Sequence, residues 1–175
     1  MPWKLATDNN IRQLPVHVQL FAFAYAYLSA GHVLCAKAIE RVDARDWSAG
    51  AVVLMNASHA VELFLKAVLL KRDASIDVWR FGHDIAALAD EYEKRFPEPE
   101  WVWDIPFRQA QPDGLSAEQR RIYRDGVAPP SIEFRYPVTK QGQPWITLQG
   151  FEPHSFARDL KRIEEDFDRI CNREA

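Results

Sequence analysis

From Gln13 to Ala36 the chain carries no Asp, Glu, Lys or Arg. A helix that is apolar on nearly every side has to be covered all round, by its own protein, by a partner or by a membrane. This stretch holds Pro15, His17, Gln19, Ser29, Gly31 and His32, and much of the rest is alanine. A spanning helix wants ~20 strongly apolar residues, so a membrane span is not expected. A secretory signal would be a shorter run nearer the start, without Asp8 ahead of it. The expectation is a buried bundle helix in a cytoplasmic protein, with its outer side making a homodimer.

A second apolar segment follows, and it is interrupted by a narrow polar seam. Asn56, His59, Glu62 and Lys66 are spaced three, three and four, which puts successive members on one helical face about a turn apart. The flanking Val52-Val53-Leu54-Met55 and Leu63-Phe64-Leu65 keep water scarce, so these groups need partners or a ligand. Gly82-His83-Asp84-Ile85 then opens a further helix.

The length of 175 residues suits one domain with a sizeable core, residues 1–175. Residues 1–13 read as an arm, and Pro15 suits the first turn of a helix running to about Arg41. Asp46 or Ser48 can cap a second helix reaching about Arg72, and the short link predicts antiparallel packing. A loop with Trp79 leads to a third helix, His83 to Phe96, with Ile85, Leu88, Tyr92 and Phe96 on one side. Pro97 and Pro99 end it.

Residues 97–152 read as an irregular but packed insertion. It holds Trp101 and Trp103, a short helix at 115–125, and a β-hairpin pairing the alternating Ile132, Phe134 and Tyr136 with Trp145-Ile146-Thr147-Leu148. Pro153 starts a last helix whose Phe156, Leu160, Ile163, Phe167 and Ile170 form an amphipathic stripe. The fold class is therefore mainly α: an antiparallel four-helix up-and-down bundle, with an extra short helix and a small β-hairpin before the last helix.

A net charge of −3 supplies no overall basic field for non-specific nucleic-acid binding. The two cysteines, Cys35 and Cys171, lack metal or redox spacing and read as reduced thiols. No Gly-rich phosphate loop is present. Ser58-His59 and His154-Ser155 are adjacent pairs whose side chains point apart on a helix, so neither is a Ser-His dyad.

The segment His59-Ala60-Val61-Glu62-Leu63-Phe64-Leu65-Lys66-Ala67-Val68-Leu69-Leu70, followed by Gly82-His83-Asp84-Ile85-Ala86-Ala87-Leu88, resembles the HEPN family (higher eukaryotes and prokaryotes nucleotide-binding). Phe134-Arg135-Tyr136-Pro137 is also similar to a turn in some bacterial members. The likeness covers roughly residues 15–96, plus a terminal helix in the expected place. It implies a helical bundle among metal-independent RNase toxins, partners of small nucleotidyltransferases, and non-catalytic nucleotide- or RNA-binding modules.

The family's RNases carry an R-x4–6-H spacing on a late helix. Here Arg158, Arg162, Arg169 and Arg173 have no histidine after them, and His17, five residues past Arg12, stands at the first helix. The resemblance thus implies the fold and argues against the RNase activity.

The expected ligand-binding set is Asn56, His59, Glu62, Lys66, His83 and Asp84, with no catalytic residue, metal or cofactor. In a functional reading Lys66 neutralises a phosphate, His59 and His83 donate hydrogen bonds, and Glu62 orients a histidine. In a structural reading Glu62 and Lys66 form an ion pair that fixes register, and Asp84 caps the third helix. A third reading sets His59, Glu62 and His83 on one metal ion as a hydrolase, beside a degenerate RNase toxin. Arg120, Arg121, Arg124 and Arg135, interleaved with Tyr123 and Tyr136, are a weaker nucleic-acid candidate diluted by Glu118, Asp125 and Glu133.

Overall fold

A computed structural model describes residues 7–40, 47–108, 116, 118, 130–145 and 150–173. The architecture is mainly helical: α1 (Val16–Glu40), α2 (Trp47–Arg72), α3 (Ile85–Arg95), a single turn α4 (Pro130–Glu133) and α5 (Pro153–Arg173).

Each helix begins and ends for a local reason. α1 follows Pro15, whose carbonyl accepts from Val18 and Gln19 N–H. α2 stops where the Asp73 carboxylate accepts from both the backbone and the hydroxyl of Ser75, offering the chain a turn instead of a further helical bond. Asp84 caps α3 by accepting from Ala87 N–H at 3.0 Å. Phe96 and Pro97 close it, since a residue before proline leaves the helical region. Glu152 receives the N–H groups of His154 and Ser155 ahead of α5, and Pro153 fills the first position, where no donor is needed. Asp46 lies outside the described residues, and Ser48 sits inside α2 rather than ahead of it.

The side chains fix the directions. Phe21 meets Phe64, Tyr27 meets His59, and Gly31 lies against Asn56, so α1 and α2 run antiparallel. Tyr25 pairs with Asp168 and Cys35 with Pro153, so α5 is antiparallel to α1 and runs with α2. α3 also runs with α2: His83 sits at Glu62, while Asp73 and Arg72 meet Arg95 and Phe96. The expected up-and-down alternation therefore does not hold. The loop from Asp73 to Asp84 carries the chain back along α2 before α3 begins, so α3 need not reverse direction.

The core is organised on α2. The Phe64 ring stacks on Phe167 at 3.7 Å between centroids and takes Phe21 and Trp103 edge-on at 5.5 and 6.0 Å. The stripes Ile85, Leu88, Tyr92, Phe96 and Leu160, Ile163, Phe167, Ile170 are buried as their periodicity expects, while Phe156 is partly buried. The described part of the insertion is packed: Trp103 and Ile105 are buried, and Trp101 O accepts from the Tyr92 hydroxyl. Cys35 is buried, its thiol donating to Pro153 O, and Cys171 is partly buried.

The expected strand over 132–136 is corrected. Pro130 begins a helical turn, Phe134 N–H bonds to Pro130 O, and Tyr136 N–H to Ile132 O. Glu133 and Phe134 are consecutive and both buried while Tyr136 is half exposed, a burial pattern that a two-residue period cannot produce. Among the described residues the only strand-like pairing is an isolated antiparallel bridge between Val138 and Pro144, across a turn in which Gly142 takes a φ of 76°. Residues 146–149, and the expected short helix at 115–125 apart from 116 and 118, lie outside the described residues.

Candidate functional site

The polar seam becomes a cluster because the loop after α2 folds back over it. The Glu62 side chain is only 1% exposed. Lys66, one turn on, donates to Glu62 Oε1 at 2.7 Å and to Gly82 O at 2.6 Å. Gly82 has a φ of 55° and ψ of −117°, a conformation reserved for glycine, and this aims its carbonyl at the ammonium. His83 Nδ1 lies 3.0 Å from Glu62 Oε2 and 3.2 Å from Oε1. His59 Nδ1 stands 3.6 Å from Oε2, just past hydrogen-bond length, and has no other partner among the described residues. The His59 ring is held edge-on against Tyr27, with centroids 4.5 Å apart. The Trp79 ring lies 5.5 Å from the Lys66 ammonium.

Burial pushes the Glu62 carboxyl up, but the imidazole nitrogens of His59 and His83 and the Lys66 ammonium that face it outweigh that and hold it down at about 2. An ionised Glu62 accepts the His83 Nδ1–H, which fixes that tautomer and leaves Nε2 on the far side of the ring as the nitrogen available to solvent. His83 has 45% of its side chain exposed, His59 18% and Lys66 5%, so only the histidines are presented. Lys66 could reach a phosphate only by giving up two short bonds.

The expected set therefore divides. Glu62, Lys66, His59 and His83 come together. Asn56 does not join them: its amide donates to Val52 O within its own helix, and its Cβ faces Gly31. Asp84 is the α3 cap. Arg120, Arg121 and Arg124 lie outside the described residues, and Arg135 is exposed. Three of the α5 arginines are engaged at the surface: Arg162 with Asp159, Arg169 with Asp166 and the carbonyl of Val102, and Arg158 with His154 O.

Among the described residues no group of three or more His, Cys, Asp or Glu is arranged to hold a metal ion. Both histidines present Nδ1 to one carboxylate whose other oxygen already carries an ammonium, an arrangement that suits hydrogen bonding better than metal ligation. Sequence reasoning missed Tyr27, the Gly82 carbonyl and the exposed Trp79. Only Trp79 carried a signal, standing in a short loop before the Gly-His-Asp run.

Compared with known protein families, curated proteins and solved structures, the chain matches no family model, no protein and no structure.

Proposed function

We propose that this chain is a non-catalytic, HEPN-like binding module of the four-helix type. It recognises a nucleotide, an RNA or a partner protein at the histidine face where the α3 loop crosses α2. The observation carrying this is the buried Glu62: it anchors His83 through Nδ1 and leaves the opposite nitrogen outward, with His59 and Trp79 beside it. The outward Nε2 of His83 can accept a hydrogen bond, and the exposed Trp79 indole can donate one and stack on a planar ligand. The sequence resemblance supports the same reading, and with it a cytoplasmic location, no membrane and a nucleotidyltransferase-type partner in a toxin–antitoxin setting.

A second reading is favoured by one feature. A carboxylate fixing an imidazole tautomer is the arrangement of a general base, which suits a degenerate RNase with His83 in that role.

One experiment addresses both. Titration calorimetry with a nucleoside monophosphate and with a short single-stranded RNA is expected to show binding that falls about tenfold in His83→Ala, the loss of one hydrogen bond. An unchanged affinity in that variant, or no binding of either probe, overturns the ligand reading. RNA cleavage without added metal, abolished in His83→Ala, replaces it with the enzyme.

A further inference from the structure

Five histidines stand in the chain, and one of them joins a buried carboxylate to an open ring nitrogen. His17 and His154, at the starts of α1 and α5, have no carboxylate bonded to the ring among the described residues. His32 Nε2 lies 3.5 Å from Glu164, a carboxylate half in water. His59 faces Glu62 at 3.6 Å, mostly buried with its ring against Tyr27. His83 alone bonds through Nδ1 to the enclosed Glu62 while nearly half of its side chain stays open. Lys66 already neutralises Glu62 from the Oε1 side. The second oxygen is spent on a surface imidazole, which an ion pair made only for stability does not require.

We propose that His83 Nε2 is a nucleophile that accepts, stoichiometrically, the phosphoryl group of a small acyl phosphate. The Nδ1–H bond to Glu62 leaves the lone pair on Nε2, the form an attacking imidazole needs. That lone pair attacks phosphorus, the P–O bond to the acyl group breaks, and its electron pair leaves on the carboxylate. The Nδ1 proton stays on the ring, so the product is a phosphorylated imidazolium. Nothing is oxidised or reduced, and no proton has to be removed, because Nε2 carries none at the outset. The positive charge that develops on the ring lies 3.0 Å from a carboxylate shielded from water, where it is stabilised most. An acyl phosphate suits the site because its carboxylate departs unprotonated at neutral pH and asks the protein for no general acid.

The surroundings accommodate the added anion. Lys66, tied to Glu62 and Gly82 O, holds the carboxylate in place rather than meeting the phosphate. Arg80, three residues back in the same loop, is more than half exposed and holds Glu91 only at 3.6 Å. α3 begins at Ile85, two residues on, and a helix start favours negative charge. Asp84 opposes it, but its carboxylate is turned to Ala87 N–H. The inference shares the geometry of the histidine face and goes beyond the ligand reading. Labelling of His83 without binding of the monophosphate or the RNA removes that reading and leaves this inference standing; binding without labelling does the reverse.

The test incubates the full chain with acetyl phosphate at neutral pH and locates phosphohistidine by peptide mass spectrometry. His83 is expected to label at least about tenfold faster than the exposed His154 of the same chain. His83→Ala removes that label while helical circular dichroism is unchanged. Glu62→Gln keeps an acceptor beside Nδ1 but removes the charge. It is expected to slow His83 at least about tenfold, short of the ~10²–10³ of an unshared electrostatic group because Lys66 shares the carboxylate. A merely structural Glu62 would change His83 and His154 alike. Where that variant fails to fold, the ratio of the two histidines in the wild type decides by itself. No label on His83, labelling no faster than at His154, or a rate indifferent to Glu62→Gln overturns the inference.

Discussion

α1 and α2 have nearly the same length, 25 and 26 residues, and similar apolar character, but five residues of α1 are buried and seventeen of α2. The difference follows from their neighbours. α2 packs against α1, α3, α4 and α5, and α1 chiefly against α2 and α5. A helix enclosed on all sides can hold an ionised carboxylate and an ammonium, because the surrounding elements bring the compensating donors and acceptors to it. A helix enclosed on one side cannot, and α1 has no charge over its middle. Apolar composition tells how much surface a segment must hide; its place in the packing decides where that surface is hidden.

The largest test of this contrast is Glu62→Ala. It strands the buried Lys66 and removes the anchor of His83, and breaking a buried pair typically costs about 3–5 kcal/mol. Urea unfolding should show a correspondingly lower midpoint. A loss below about 1 kcal/mol would mean that α2 is not held by its seam.

Acid should act through the same group, in a defined direction. The folded Glu62 carboxyl sits at about 2, below its ordinary 4.5. Its contribution is therefore complete above pH ~4.5 and is lost as the pH falls toward 2, on the order of 3 kcal/mol in all. Wild-type stability should drop steeply across that window, and Glu62→Gln should flatten the slope. Equal slopes in the two proteins would assign acid sensitivity to other carboxylates.

The two helical glycines sharpen the comparison further, with opposite signs. A Cβ on Gly50 of α2 would sit 2.7 Å from the Phe151 ring, so Gly50→Ala should destabilise by about 1–3 kcal/mol through overpacking. A Cβ on Gly31 of α1 would meet Leu160 at an ordinary 3.5 Å. Gly31→Ala should therefore stabilise the fold by about 0.5–1 kcal/mol, the helix-propensity gain with no clash against it. Thermal unfolding of both variants decides. The same sign in both would show that enclosure does not govern what these helices tolerate.

Much of the fold was legible in the residues. Long runs of Ala, Leu and Val without proline specify helices whatever their partners. Asp84 and Pro153 mark helix starts by chemistry that is complete within a few residues. The segment at 132–136 was misread because alternation over five residues is too short to outweigh Pro130, whose fixed φ starts a turn of helix. In the site, Glu62 and Lys66 were legible as an i, i+4 pair, and Asn56 was not separable from them, since all share a helical face. Its amide turns back to Val52 O because the Asn56 side chain meets α1 at Gly31 rather than the α3 loop.

By itself, then, the chain of residues determined which long stretches are helical, where they stop, and that two of them have far more apolar surface than a lone helix can leave in water. Those are short-range matters of propensity, capping and periodicity. Only the tertiary structure decided that α3 runs with α2, that the Gly82 carbonyl and His83 close over Glu62, and that Trp79 stands beside them. Each depends on the path of a loop through space, and a one-dimensional pattern does not encode which distant backbone atom will meet a buried charge.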